Sequence, residues 1–193
     1  MKIEINVPDG VSGNWSVSTF TVEKEEFSQM ISMMKSGRGV PEGTYKRLMR
    51  GGETIMSNTP DEIRDSLHFI YRATGSILIN GLGLGVVVKA LLDKPEVTDI
   101  TVIENSEDVL KLCAPSYTDS RLTIIHGDAF AWEPPKGKKY DAVWHDIWDN
   151  LCADNLVEMK KLHVKYGHKT KYQESWGRAL CEAYERKSRN RYW

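Results

Sequence analysis

The residues whose types and spacing could do chemistry fall in one glycine-rich segment and three short segments that end in a carboxylate. The glycine segment reads Asn80-Gly81-Leu82-Gly83-Leu84-Gly85 and follows the apolar run Ile77-Leu78-Ile79. Glycines at alternate positions between a buried strand and a helix let backbone approach a ligand where a Cβ would clash, beside the positive end of the helix dipole. A nucleotide-like ligand suits such a place. The dinucleotide fingerprint requires GxGxxG, and the third position here is Val86, which disfavours nicotinamide and flavin dinucleotides. No Gly-Lys-Ser/Thr occurs, so a Walker A phosphate loop is excluded.

The carboxylates follow in order. Glu104 closes Thr101-Val102-Ile103-Glu104, where an acid at a strand end can accept hydrogen bonds from both hydroxyls of a ribose. Asp128, in His126-Gly127-Asp128-Ala129, could accept from the exocyclic amine of an adenine, and Asp146 ends Tyr140-Asp141-Ala142-Val143-Trp144-His145-Asp146. Ligands of open α/β sheets bind outside the carboxyl ends of the strands, so the loop and the three acids are expected to meet in one crevice. A group-transfer reaction there needs an aligned nucleophile and a base to take its proton. Asp146 is the first candidate. His145 is the second, because imidazole titrates near neutrality, but neighbours on a strand point to opposite faces and at most one of the two faces the crevice unless the strand has ended.

Elements able to position these residues can be read from the pattern. Thr59 as N-cap, Pro60 at the first helical position and Glu62 closing a capping box start a helix that carries Ile63, Leu67 and Ile70 on one face. After Gly75, apolar runs alternate with helical stretches: Ser76–Ile79, Val86–Leu92, Ile100–Ile103, Glu107–Cys113, Leu122–Ile125 and Ala142–Trp144. Short apolar strands alternating with helices signal a parallel sheet built from βαβ units. The expected fold is thus α/β, a Rossmann-like doubly wound, mostly parallel sheet over 60–150 that stops after its fourth core strand. Before it, 1–59 reads as a small α+β extension. Its expected parts are a hairpin of Lys2–Val7 with Trp15–Val22, a helix over Glu23–Lys35, and strands Thr44–Met49 and Glu53–Met56 joined by Gly51-Gly52. After the core, 151–193 reads as a helical tail, from Leu151, Met159, Leu162 and Tyr166, then Tyr172, Trp176, Leu180 and Tyr184.

With the loop and strand ends in this order, residues 75–150 resemble the class I S-adenosylmethionine-dependent methyltransferase superfamily. The resemblance implies that Gly81, Gly83 and Gly85 form the cofactor loop, that Glu104 holds the ribose, that Asp128 and Ala129 frame the adenine, and that Asp146 sits at the reacting end. Ile79 before the first glycine, the segment Leu48–Glu62 and the strand end from Tyr140-Asp141 to Asp146 and Asp149 are similar to the spermidine-synthase-like branch. That branch places an Asp where Leu84 stands and a Tyr-His pair after the Asp-Glu that Asp61-Glu62 matches. The implied function is S-adenosylmethionine-dependent methyl transfer to an acceptor not yet identified. Two alternatives stay open: aminopropyl transfer from the decarboxylated cofactor, and non-catalytic adenosyl-ligand binding or interaction.

Composition narrows the class further. The 193 residues carry 26 Lys+Arg against 27 Asp+Glu, a formal net charge of -1, which excludes a uniformly basic nucleic-acid binder. No apolar run has the length of a membrane span, and the N-terminus lacks a signal-peptide pattern, so a cytoplasmic protein without membrane partners is expected. Cys113, Cys152 and Cys181 form no CxxC pair and read as reduced thiols, and no metal site is expected. A small-molecule acceptor is the expected partner. Ten Lys/Arg against four Asp/Glu between Glu158 and Trp193 leave nucleic acid as a second partner class, and a homodimer is compatible with the chain.

Overall fold

A computed structural model describes residues 3–23 and 40–189. The helix expected over Glu23–Lys35 lies outside the described residues. Residues 3–9 belong to no helix or strand, and the turn Gly13-Asn14 joins β1 (Gly10–Ser12) to β2 (Trp15–Val22). Then come β3 (Gly43–Arg50), β4 (Glu53–Ser57), α1 (Pro60–Arg72), β5 (Gly75–Asn80), α2 (Val86–Leu92), β6 (Val97–Glu104) and α3 (Glu107–Cys113). The chain continues through β7 (Leu122–His126), β8 (Tyr140–His145), α4 (Asn155–Tyr166), β9 (Thr170–Ser175) and α5 (Arg178–Arg189).

The strands form two sheets. One has four strands in the order β1-β2-β3-β4, antiparallel throughout; the other has five in the order β7-β6-β5-β8-β9, parallel throughout. The order reverses between β5 and its neighbours β6 and β8, which is the switch point where such sheets open a crevice. The α/β class and the strands and helices expected over 75–150 are present.

Three expectations need correction. The sheet does not stop after its fourth strand: β9 pairs with β8 from Tyr140↔Thr170 to His145↔Ser175, so the C-terminal zone supplies a core strand as well as helices. The hairpin uses Gly10–Ser12 rather than Lys2–Val7. Ile3, Ile5 and Val7 are nevertheless buried, so their alternation reports a buried face without a partner strand. Thirdly, Thr59 makes no side-chain cap bond. The Glu62 carboxylate accepts instead from the Ser57 N–H and hydroxyl, which ties the start of α1 to the end of β4.

The core follows from the sequence pattern. Ile77 and Ile79 on one face of β5 join Phe69 and Ile70 of α1, Val88 and Leu91 of α2, and Trp144 of β8; Leu78 on the other face packs with Val143, Leu162 and Tyr166. Val, Ile and Leu on both faces are what a sheet covered by helices on both sides requires.

Candidate functional site

At the carboxyl ends of β5, β6, β7 and β8 a cavity of about 450 Å³ opens, roofed by Trp15, Leu48, Arg50 and Met56 of the antiparallel sheet. That volume lies within the range of about 300–1,000 Å³ usual for small-ligand sites. Gly81, Gly83, Glu104, Asp128, Ala129 and Asp146 all line it. Gly85 and His145 do not.

Glu104 is fixed before any ligand arrives. One carboxylate oxygen accepts from the Leu82 N–H at 2.8 Å and the other from the Ser106 N–H at 2.7 Å, which joins the glycine loop to the start of α3. Each oxygen keeps a further lone pair. Asp128 accepts from the Phe130 N–H at 2.8 Å and shapes the turn after β7, while the Ala129 carbonyl accepts from the buried Tyr166 hydroxyl at 3.0 Å.

The three glycines are required by protein packing rather than by room for a ligand. All have positive φ, and an added Cβ would lie 1.9 Å from the Asp146 carbonyl oxygen at Gly81, 2.6 Å from the Met56 sulfur at Gly83 and 2.3 Å from the Tyr117 ring at Gly85. Gly85 faces Tyr117, whose hydroxyl donates to the Leu84 carbonyl. The loop is therefore a close-packed turn whose first two glycines border the cavity.

Asp146 stands where β8 ends. Its N–H donates to the Asn80 carbonyl at 2.8 Å, which fixes the residue to the end of β5. Burial pushes its carboxyl up to about 7, the Trp144 indole N–H acts to lower it, and Glu62, Glu104 and Asp65 add repulsion that raises it. A carboxylate with a pKa near the working pH is suited to receive a proton. His145 has the opposite surroundings. Fully buried, it accepts at Nδ1 from the Asn80 amide at 2.8 Å and its Nε2 lies 3.1 Å from the Gln173 side-chain oxygen. Burial depresses its pKa to about 3. The expectation that His145 serves as a base at the crevice is thus corrected: it is a neutral, bonded core histidine on the far side of the strand.

Sequence reasoning missed part of the lining. Glu62 was expected only as a helix cap, yet it borders the cavity with Asp149 and Glu158. Among the described residues, six carboxylates, those of Glu62, Glu104, Asp128, Asp146, Asp149 and Glu158, line the cavity with one cationic side chain, Arg50. Arg50 pairs with Asp149 and lies 5.2 Å over the Trp15 ring. The carboxylates were visible in the sequence; what brings them together is the parallel sheet, whose strand ends carry Glu104, Asp128 and Asp146, with Glu62 added from α1, Asp149 from the segment after β8 and Glu158 from α4.

A second cavity of about 410 Å³ borders His163 and Ser175. Their side chains lie 2.8 Å apart, the spacing of a serine and its base. Arg178 excludes that use, since its guanidinium lies 3.2 Å from His163 Nδ1 and can only donate. Nδ1 must accept, so Nε2 carries the proton and points it at Ser175. Among the described residues, no group of three or more His, Cys, Asp or Glu could hold a metal ion. Nor is any helix among them long and apolar enough to cross a membrane.

No protein-family model matches the chain, and no curated protein matches it significantly. Solved structures do share part of it. The CcbJ methyltransferase from Streptomyces caelestis is similar at 19% identity and a TM-score of 0.45, over 58% of this chain and 46% of that one. SAM-bound CalS10, an amino pentose methyltransferase from Micromonospora echinaspora, gives 17% identity and a TM-score of 0.43 over 60% and 50%. The N-methyltransferase NodS from Bradyrhizobium japonicum gives 15% identity and 0.40 over 56% and 57%. The chain spans about half the length of each.

Proposed function

We propose that this chain binds S-adenosylmethionine in the cavity at the strand ends and transfers its methyl group to a small-molecule acceptor. The observation that carries the reading is the convergence of Glu104, Asp128 and a desolvated Asp146 on one cavity at the switch point of a parallel sheet. Its described residues fit the cofactor by charge: among them, six carboxylates against one arginine favour a cationic ligand. When bound, the cofactor supplies an electrophilic methyl group on a positively charged sulfur.

The chain's own residues then have distinct tasks. Glu104, held by Leu82 and Ser106, offers its remaining lone pairs to the ribose hydroxyls. Asp128 and Ala129 border the adenine. Asp146 would take the proton from the acceptor's nucleophilic atom as the bond to carbon forms, so that the carbon–sulfur bond of the sulfonium could break to leave a neutral thioether; with a pKa of about 7 it is half ionised near neutrality and holds that proton without strong cost.

Titration calorimetry with S-adenosylmethionine tests the reading. Binding is expected, weakened by Glu104→Ala by about ten-fold or more, the effect of losing hydrogen bonds to a charged group. Asp128→Ala is expected to weaken it less. No binding by the wild-type chain overturns the assignment.

A further inference from the structure

We infer that Trp144 is a positioning residue for Asp146, its indole N–H holding one carboxylate oxygen so that the other is left for the cavity. This rests on the role proposed for Asp146. Just past the end of β8 the Asp146 carboxylate meets the Trp144 indole, while the His145 ring is held by Asn80 and Gln173. The indole Nε1 lies 3.3 Å from Asp146 Oδ2, and an indole N–H only donates. No donor to Oδ1 is found among the described residues' side-chain hydrogen bonds.

Neighbouring rings leave the indole little freedom. It is 1% exposed, its ring lies 5.0 Å from that of Phe69, Phe69 stacks on Tyr172 at 5.9 Å, and the Arg72 guanidinium sits 4.2 Å over Tyr172. Three elements, α1, β8 and β9, thus contribute to one train of side chains that ends on the Asp146 carboxylate. A buried indole N–H needs an acceptor, and here the acceptor is a carboxylate that borders the cavity rather than a carbonyl of the core. The charged groups facing that carboxylate are Glu62 and Asp65 from α1 and Glu104 from β6, all repulsive to its ionised form. Arg50, the cation on the cavity wall, is already paired with Asp149. The indole N–H is then the group that favours the ionised, proton-accepting state.

Nuclear magnetic resonance tests this without an acceptor. In the wild-type chain with carboxyl-labelled aspartate and labelled indole nitrogen, the Trp144 N–H resonance is expected to move with pH through the same midpoint as the Asp146 carboxyl, and to lose that step in Asp146→Asn. In Trp144→Phe the Asp146 midpoint is expected to rise by roughly one pH unit, the loss of a charge-assisted hydrogen bond. Trp144 and Asp146 titrating independently in the wild type, or an unmoved Asp146 midpoint in a folded Trp144→Phe chain, overturns the inference. The wild-type measurement decides it if that variant does not fold. Calorimetry with S-adenosylmethionine on the same samples separates the two proposals: absent binding defeats the transferase reading and leaves the coupling of the two side chains to be judged by the titration.

Discussion

On the two sides of the end of β8, one physical effect produces two different residues. His145 and Asp146 are neighbours in the chain, and desolvation is the largest influence on both. Burial favours whichever form is uncharged, so it lowers the imidazole to about 3 and raises the carboxyl to about 7. What separates them is company. His145 has Asn80 and Gln173 as neutral hydrogen-bond partners and is locked in one tautomer. Asp146 has one indole donor and three acids, and it borders a cavity. A perturbed pKa marks a reactive group only when a substrate can reach it.

The sharpest way to break this contrast is to exchange function between the two sides. Asp146→Asn is expected to lower the proposed methyl transfer by about 10²–10⁴-fold, the usual contribution of a general base, while the proposed affinity for S-adenosylmethionine stays near the wild-type value. His145→Gln is expected to leave turnover within a few-fold and to cost about 1–3 kcal/mol of stability, because it disturbs buried partners. Initial rates and urea denaturation measure both. Equal turnover in Asp146→Asn would remove that residue from the reaction.

Next in size is the junction that places Asp146 over the glycine loop. Gly81 has a φ of +98° and would set a Cβ 1.9 Å from the Asp146 carbonyl oxygen. Gly81→Ala must therefore strain its own backbone and push apart the ends of β5 and β8. A loss of roughly 3 kcal/mol or more is expected, above the cost of positive φ alone. Thermal unfolding reads it. A loss below about 1 kcal/mol would show that the strand ends can separate freely.

A smaller effect sharpens the comparison because its sign differs on the two sides. Asp146 has a folded pKa above its ordinary 3.8, so between about pH 4 and 7 the folded state holds the extra proton and stability falls as pH rises. His145 has a folded pKa below its ordinary 6.5, so between about pH 3 and 6.5 the unfolded state holds the extra proton and stability rises with pH. The two slopes oppose each other where the windows overlap. Asp146→Asn is expected to make stability climb more steeply from pH 4 to 6.5, and His145→Gln to make it decline, each by at most about 1.4 kcal/mol per pH unit. Parallel shifts in both variants would contradict the assigned environments.

Much of the cavity's floor was legible because its signals are local. Apolar runs mark β5 to β8, and each acid stands at its strand's end or within two residues of it; the divergence of neighbours on a strand limited the crevice to one of His145 and Asp146 unless the strand had ended, and although β8 does end at His145, only Asp146 of the two lines the cavity. β9 was not legible. Thr170–Ser175 is Thr-Lys-Tyr-Gln-Glu-Ser, a half-exposed edge strand with no apolar run, and Tyr172, Trp176 and Leu180 fall at helical spacing although they belong to a strand, a turn and a helix. The roof was not legible either, because Trp15, Leu48, Arg50 and Met56 reach the cavity from the antiparallel sheet, and no local pattern places that sheet. Nor were the glycines' reasons: the Met56 and Tyr117 contacts come from residues about 30 positions away.

The basic C-terminal zone gives the smallest expected effect and marks the contrast between cavity and surface. Its sequence suggested a positive patch for nucleic acid, but the fold supplies counter-charges from elsewhere: Lys165 and Lys169 pair with Glu133, and Lys171 pairs with Asp141. Within α5, Arg178 pairs with Glu182 and Arg189 with Glu185. Lys171 is 83% exposed, so water and salt screen its pair. Lys171→Ala is expected to change stability by no more than about 0.5 kcal/mol, an effect that shrinks further at 1 M salt. Denaturation at low and high salt measures it. A loss that exceeds 1 kcal/mol and persists in high salt would show that Lys171 does more than balance the Asp141 carboxylate. Asp141 would be the place to look, since its carboxylate also accepts from the Ser76 N–H at the start of β5 and so links the surface pair to the strand that carries the glycine loop.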